Sequence, residues 1–408
     1  MLESLSGRSS MSAPLLSLVV PCRDRPEALN ELLDALDAQQ GAPAFELIIV
    51  DDGSQPPISG LRETAYPLRV VRQIPLGISA ARNNGVRQAT GEILLFVDSD
   101  CAPEPDALAK LAEAAAAHPE DLAFQLGLVS GESTMVQRLE GLRLEAIQAL
   151  TTSEDGHVGF TNTSGFALRR AWLGDSPPFD TAHLRGEDSG LLMRLAREQK
   201  FPRHVPDARV HHKPDLTTWQ FIRKHFWIGY RAGLARDEMR KSNVELLSNK
   251  ERGRMFGQIR AAAKRHGWGP SHLFFLILCY ANERRGRIMH DLFGLQRDRI
   301  PLGPIGVDPL RERDLMARIL QAAERGKPLS VMGVTREVLQ RAQADPDFAA
   351  EVNAHDLLVC AEDAVRRKLW WSTRQRTHTV TLDAILPELR EEAERRGIAS
   401  DRILADPS

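Results

Sequence analysis

The sequence predicts an α/β fold with a mainly parallel central sheet, followed by a helical segment and a small α/β C-terminal appendage. Three observations predict it. Short apolar runs alternate with stretches of helical period, the pattern of βαβ units. Two of the runs end abruptly in acid, at Asp51-Asp52 and at Asp98-Ser99-Asp100. Beyond residue 236 the alternation gives way to a basic, helix-like stretch, and residues 300–309, with three prolines and two glycines, read as a linker.

Leu15 to Val20 is an apolar run ended by Pro21, a first strand. Pro26 suits the first turn of a helix whose stripe is Leu29, Leu32, Leu33 and Leu36. Phe45 to Val50 is a second strand and Leu68 to Val71 a third. Gly77 to Ala89 reads as a helix with Arg82 and Asn83 in its first two turns. Ile93 to Val97, five consecutive apolar residues, is a strand buried on both faces. Asp106 to Ala117 and Ser133 to Leu150 read as helices, and Leu122 to Ser130 as a strand. Gly159 to Leu168, containing Asn162-Thr163-Ser164-Gly165, is polar, then apolar, and suits a pocket wall. Ser189 to Glu198 is a helix, which places Glu187 and Asp188 at its N-terminus, where partial positive charge favours an ionised carboxylate. A plain helix cap is the competing reading. Val205 to Val210 is extended and leads into His211-His212.

The composition is that of an ordinary globular protein, 42% hydrophobic and 26% charged over 408 residues. A net charge of -2 argues against nucleic acid as a partner. Cys22, Cys101, Cys279 and Cys360 form no CxxC pair, which points to reduced thiols in a cytoplasmic protein and away from zinc. Cys22 and Cys101 fall near the acidic strand ends and read as buried, inert thiols. Residues 1–13 are Ser-rich without an apolar core and read as a flexible tail, not a signal peptide. The longest strongly apolar run, Leu273 to Ala281, falls well short of the roughly 20 residues a membrane span needs.

Asp98 and Asp100 are two apart, so in extended backbone their carboxylates project the same way at the open end of a buried strand. Ligands of α/β sheets bind at such ends. A hard divalent cation, arriving with a phosphate, would relieve the repulsion. A solvated acidic turn is the alternative.

Residues 17–236 resemble the family 2 glycosyltransferases of the GT-A fold. The matching residues are Val19-Val20-Pro21, Ile49-Val50-Asp51-Asp52-Gly53-Ser54, Ala81-Arg82-Asn83 with Gly91-Glu92, Asp98-Ser99-Asp100, Gly186-Glu187-Asp188 and Val210-His211-His212. The resemblance implies a GT-A nucleotide-sugar-binding domain over residues 14–240 and an inverting, metal-dependent hexosyltransferase-type activity. The donor would be a nucleoside-diphosphate sugar and the acceptor a glycan or lipid-linked hydroxyl, in bacterial polysaccharide or glycoconjugate synthesis. It implies that Pro21 and Arg23 flank the base, that Asp51, with Asp52 beside it, contacts base or ribose, and that Arg82 lies near the nucleotide. Asp98 would contact ribose or metal. Asp100 and His212 would hold Mn²⁺ or Mg²⁺, with His211 as the rival because adjacent residues of a strand face opposite ways. Asp188 would be the catalytic base, and Glu187 would orient it or bind the acceptor. Two other classes compete: a nucleotide-sugar-binding scaffold without catalysis, and a nucleotidyltransferase. The second lacks its Gly-rich loop here, where Pro21-Cys22-Arg23-Asp24 stands instead.

Between Arg223 and Arg299 there are 17 Lys or Arg against seven Asp or Glu. Two readings of this segment (its core 241–299) stand: an interfacial contact with the inner face of the membrane, or a helical pair packed on the catalytic domain with solvated charges. Residues 317–328 and 336–359 resemble the opening of the N-acetylmannosaminyltransferase family over roughly 50 residues. That family's glycine after its Asp is missing near Cys360-Ala361-Glu362-Asp363. Residues 310–408 are therefore expected to form an accessory unit without its own activity, with dimerisation or partner docking as its role.

Overall fold

The structure is a computed structural model that describes residues 14–174, 176–180, 187–242, 249–293, 300–373, 377–399 and 403–404. The first half of the chain runs β1 (Leu16–Cys22), α1 (Pro26–Asp37), β2 (Phe45–Asp52), β3 (Leu68–Gln73), α2 (Ile78–Gln88), β4 (Ile93–Phe96), β5 (Cys101–Pro103), α3 (Ala107–Ala117), β6 (Ala123–Ser130), α4 (Met135–Thr151), β7 (Phe166–Arg169), α5 (Glu187–Arg197) and β8 (Arg203–His212). Three long helices follow, α6 (Thr218–Ser242), α7 (Asn249–Arg265) and α8 (Pro270–Phe293). The chain then continues through β9 (Ile300–Leu302), β10 (Ile305–Val307), α9 (Glu312–Glu324), β11 (Val331–Val334), α10 (Arg336–Ala344), α11 (Pro346–Ala354), β12 (Leu357–Cys360), α12 (Asp363–Thr373) and α13 (Leu382–Arg395).

One eight-stranded sheet has the order β3-β2-β1-β4-β7-β6-β8-β5. β3, β2, β1 and β4 are parallel neighbours, as the alternating pattern predicts. β7 then runs antiparallel to both β4 and β6, and β8 is parallel to β6. Burial drives this arrangement. Every residue of β1 and β4 is buried, so both faces of the parallel half must be covered. α1 covers one face through Leu29, Leu32, Leu33 and Leu36, and Ala81 of α2 joins Val19, Val50 and Phe96 on the other. The C-terminal ends of β1, β2 and β4 therefore share one edge, and the acids at residues 51, 52, 98 and 100 are gathered there.

α6 and α8 cross so closely that only glycine fits between them. A Cβ on Gly229 would stand 1.8 Å from the Glu283 carbonyl oxygen, and one on Gly286 would stand 2.0 Å from that of Phe226. No helix among the described residues is long and apolar enough to cross a membrane.

The expected linker at residues 300–309 is instead a structured hairpin. β9 and β10 pair antiparallel about Gly303, whose φ of 69° suits the turn. Ile300, Leu302, Ile305 and Val307 are buried together with Val334, Leu339 and Leu358. The prolines and glycines mark the turn, and the alternating apolar residues form the strands on either side of it. The C-terminal unit is also not a free appendage. Leu76 and Ala80, at the start of α2, share an apolar cluster with Leu315, Ile319, Leu320 and Leu389. Arg87 pairs with Glu324 at 3.1 Å.

Candidate active site

The turn after β2 is built by its own acids. Asp51 accepts hydrogen bonds from the amides of Ser54 (2.7 Å) and Ile58 (3.2 Å) and from Arg72 Nη1 (2.6 Å). Burial pushes its carboxyl up, but these donors outweigh it and hold Asp51 below the usual carboxylate range. Gly53, at φ 77° and with Pro75 against its α-carbon, closes the turn. Asp52 is buried and turned into the fold. It accepts from Gln73 Nε2 and from the amides of Leu76 and Gly77, and so fixes the loop that opens α2. Burial pushes Asp52 up. Both oxygens of Asp52, expected to face the nucleotide, are engaged by the protein itself. Pro21 is buried in β1 beside Val50. Arg23 points to solvent and contacts Asp24 at 3.4 Å. Arg25, which the motif does not include, reaches Asp100 at 3.4 Å.

The strand-end pair is well separated in role. Arg82, 1% exposed, donates to Asp98 Oδ1 at 2.7 Å, and Ser164 Oγ donates to Asp98 Oδ2 at 2.7 Å. Burial acts to raise Asp98, yet the Arg82 charge and both hydrogen bonds hold it low. Among the described residues Asp100 has only longer contacts, from Arg25 Nη1 at 3.4 Å and the Cys101 thiol at 3.9 Å. Burial pushes it up, His212 opposes this, and the Asp98 charge adds to it. β5 pairs antiparallel with β8, Cys101 opposite His212 and Ala102 opposite His211. This register sets His212 Nε2 3.8 Å from Asp100 Oδ1, while His211 turns to Glu104 at 2.9 Å.

Asp100, Cys101 and His212 offer ligand atoms within 4.8 Å of one another. A carboxylate oxygen and an imidazole nitrogen, in a spot whose burial already penalises the negative charge, fit Mn²⁺ or Mg²⁺. The Cys101 thiol suits so hard an ion poorly, because thiolate is a soft ligand; burial also pushes its pKa up. A second group, His118, Glu120 and Asp121, lies beyond the start of β6, roughly 25 Å along the strand from Ser130. Its Asp121 is engaged by His157 and Arg203, a structural use.

Asp188 joins the same edge. Thr163 Oγ1 donates to Asp188 Oδ1 at 2.7 Å, and Thr161 Oγ1 to the Asp188 carbonyl at 2.8 Å. Thr163 and Ser164 are consecutive, so one turn binds Asp188 with one hydroxyl and Asp98 with the next. The polar stretch 161–164 carried this signal without showing which acids it serves. Glu187 starts α5, but its side chain and Gly186 lie outside the described residues. Glu140 is a further member that sequence reasoning missed. It is buried on α4, bound bidentately by Arg143 at 2.9 Å and paired with Lys224 of α6 at 3.6 Å. Burial would raise it, but Arg143 and Lys224, with a smaller pull from His212, hold it far below the usual range.

These features gather Asp51, Asp98, Asp100, His212 and Asp188 along one edge of the sheet. Residues 17–175 match the glycosyl transferase family 2 model. Among relatives, it is 34% identical over 99 residues to the glycosyltransferase AglE of Haloferax volcanii, covering 22% of this chain and 32% of that one. It is 28% identical over 237 residues to the hyaluronan synthase of Pasteurella multocida, covering 48% and 24%. The chain spans less than half the length of these curated relatives. Among solved structures, the mannosyltransferase PcManGT from Pyrobaculum calidifontis, in complex with GDP-Man and Mn²⁺, superposes with a TM-score of 0.45 at 17% identity over 70% of this chain and 89% of that one. S. aureus TarS 1-349 with UDP gives 0.40 at 17% identity over 72% and 96%.

Proposed function

We propose that the protein is an inverting, metal-dependent glycosyltransferase that moves a sugar from a nucleoside-diphosphate sugar to an acceptor hydroxyl, in polysaccharide or glycoconjugate synthesis. The observation that carries the reading is the Thr163-Ser164 turn, which ties Asp188 to Asp98 and so sets a candidate base beside the donor-binding acids. Asp51 with Arg72 marks the base or ribose end, next to Pro21 and Arg23. Asp98, locked by Arg82, receives the ribose or the cation. Asp100 and His212 would hold the cation. When bound, it stabilises the negative charge that the departing diphosphate acquires. Asp188 accepts the proton of the acceptor hydroxyl. The acceptor oxygen bonds to the anomeric carbon as the bond from that carbon to the diphosphate oxygen breaks, and the nucleoside diphosphate leaves. A single displacement from the opposite face inverts the anomeric configuration. An ionised aspartate is a weak base, so positioning by Thr161 and Thr163 supplies much of the rate.

Four free, buried cysteines support a reducing, cytoplasmic setting. The test is transfer and donor hydrolysis over a panel of nucleotide-sugars, with Mn²⁺, with Mg²⁺ and with EDTA. Asp188→Asn should abolish transfer and leave donor binding within a factor of about three. Near-normal turnover in that variant removes Asp188 from the mechanism. A wild-type protein that binds donors but never turns over is the scaffold instead.

A further inference from the structure

We propose that α6 and α8 together form a face that lies on an anionic lipid bilayer, with the candidate active site at its edge. The reading starts from residues a packed helical pair should not leave in water. Trp219 and Trp227 on α6, and Phe274, Ile277 and Ile288 on α8, are between 47% and 74% exposed. They are not scattered. At 100° per residue, Phe274, Ile277 and Ile288 fall within an arc of about 60° on α8, and Arg284 and Arg285 fall on or beside the same stripe. Trp219, Arg223 and Trp227 share an arc of about 80° on α6.

The two stripes lie on the outer faces of one closely packed helical pair, each turned away from the glycine contact. Gly229 and Gly286 bring the helices into backbone contact. Across that crossing, Arg285 of α8 stacks over Phe226 of α6 at 5.7 Å, and Phe226 meets Trp227 edge-on at 5.3 Å. The outer faces of the pair thus carry exposed apolar side chains with guanidinium groups beside them.

Charge selects the occupant. Residues 223–299 hold 17 Lys or Arg against seven Asp or Glu, while the remainder of the chain holds 36 against 48. A protein of near-zero net charge is thus strongly polarised, with its positive pole on the segment that carries these side chains. A bilayer interface with anionic headgroups matches both features: aromatic and aliphatic side chains enter the acyl boundary, and arginine heads reach the phosphates. A second copy of the chain matches poorly, because a two-fold contact through the α8 stripe would press Arg284 and Arg285 against their own like charges. The helices lie on the bilayer and do not cross it, in keeping with their hydropathy. α6 begins at Thr218, six residues after His212, so the bilayer would border the mouth of the site.

The test is flotation of the full chain with vesicles of phosphatidylcholine alone and of phosphatidylcholine with 30% phosphatidylglycerol, at low salt and at 0.5 M NaCl, beside light scattering and donor hydrolysis on the same samples. The expected result is flotation with the anionic vesicles only, reduced at least about fivefold by high salt. Phe274→Ser with Ile277→Ser, and separately Arg284→Gln with Arg285→Gln, should each reduce it by a similar factor while leaving the melting temperature and donor hydrolysis unchanged. A wild-type chain that stays at the bottom overturns the proposal, as does flotation that neither pair of substitutions changes. A dimer that dissociates on Phe274→Ser with Ile277→Ser, without vesicle binding, also overturns it in favour of self-association. Flotation without donor turnover would leave the surface assigned and remove the enzymatic reading, so the two stand or fall separately.

Discussion

Arg82→Met tests whether the site is held together as described. The substitution keeps an unbranched side chain against the Phe179 ring, which the guanidinium now faces at 5.6 Å. It removes the 2.7 Å bond to Asp98 and leaves that carboxylate with Ser164 as its remaining close donor in this cluster. Stripping one partner from a fully buried pair costs roughly 3–5 kcal/mol. Asp98 keeps 26% side-chain exposure and the Ser164 bond, so about 2–3 kcal/mol is the better figure here. At about 2 °C per kcal/mol, the low end suited to a chain of this length, the melting point should fall by roughly 4–6 °C. Asp98→Asn, alone and combined with Arg82→Met, completes a double-mutant cycle. The double variant should lose at least about 1 kcal/mol less than the sum of the singles, because each single strands the other's charge. Thermal unfolding and urea titration read the cycle, and calorimetric titration with nucleotide-sugars reads the site. A melting point within about 1 °C of wild type, or strict additivity, would refute the idea that Arg82 and Asp98 act as a unit.

Three further outcomes follow from other parts of the molecule. Burial would lower the His157 pKa, but its bonds to Asp121 and Asp155 raise it above the ordinary value, whereas Asp121 is held low. The His157 contribution is thus complete below its unfolded pKa of about 6.5 and fades as pH rises through the higher folded value, while the Asp121 contribution is present above about 3.9 and is lost in acid. Stability measured by urea titration should therefore decline above about pH 6.5, and His157→Asn should flatten that decline; an unchanged slope would clear His157 of any part in it. Gly286→Val should separate α6 from α8, since the new Cβ meets backbone at 2.0 Å, and limited proteolysis should then cut between residues 218 and 293; wild-type resistance would mean the crossing can yield. Asp345 caps α11 by accepting from the amides of Asp347 (3.0 Å) and Phe348 (3.1 Å), so Asp345→Ala should cost about 1 kcal/mol without changing donor binding.

What the sequence disclosed was whatever is written locally. Leu16 to Cys22 and Ile93 to Phe96 are legible as buried strands because the apolar run itself is the signal. The order of acids and histidines placed the edge because strand ends and chain order survive in one dimension. What failed to show depends on pairing. β5 is three residues long and exists only because β8 pairs with it, yet that register decides that His212 and not His211 turns toward Asp100. Asp52 looked like its neighbour Asp51, but the loop at Leu76 and Gly77 claims its oxygens. Glu140 gave no sign at all. Its meaning comes from Arg143 on the same helix and from Lys224, more than 80 residues away. The hairpin at 300–307 was lost because Pro and Gly were weighed above the alternation of Ile300, Leu302, Ile305 and Val307.

The seam between α2 and the C-terminal unit governs how this protein can be divided. α2 bears Arg82 in its middle and rests at its start, through Leu76 and Ala80, on residues more than 200 positions later in the chain. Gln321 of α9 reaches the Phe179 carbonyl, which Asn83 also holds, so the accessory unit stands directly behind the guanidinium that locks Asp98. A product ending before residue 300 would keep every motif by which such enzymes are recognised, yet present a wet greasy flank and leave Arg87 without Glu324. A change in the packing on one side of that seam is therefore felt on the other, within reach of the Asp98 lock.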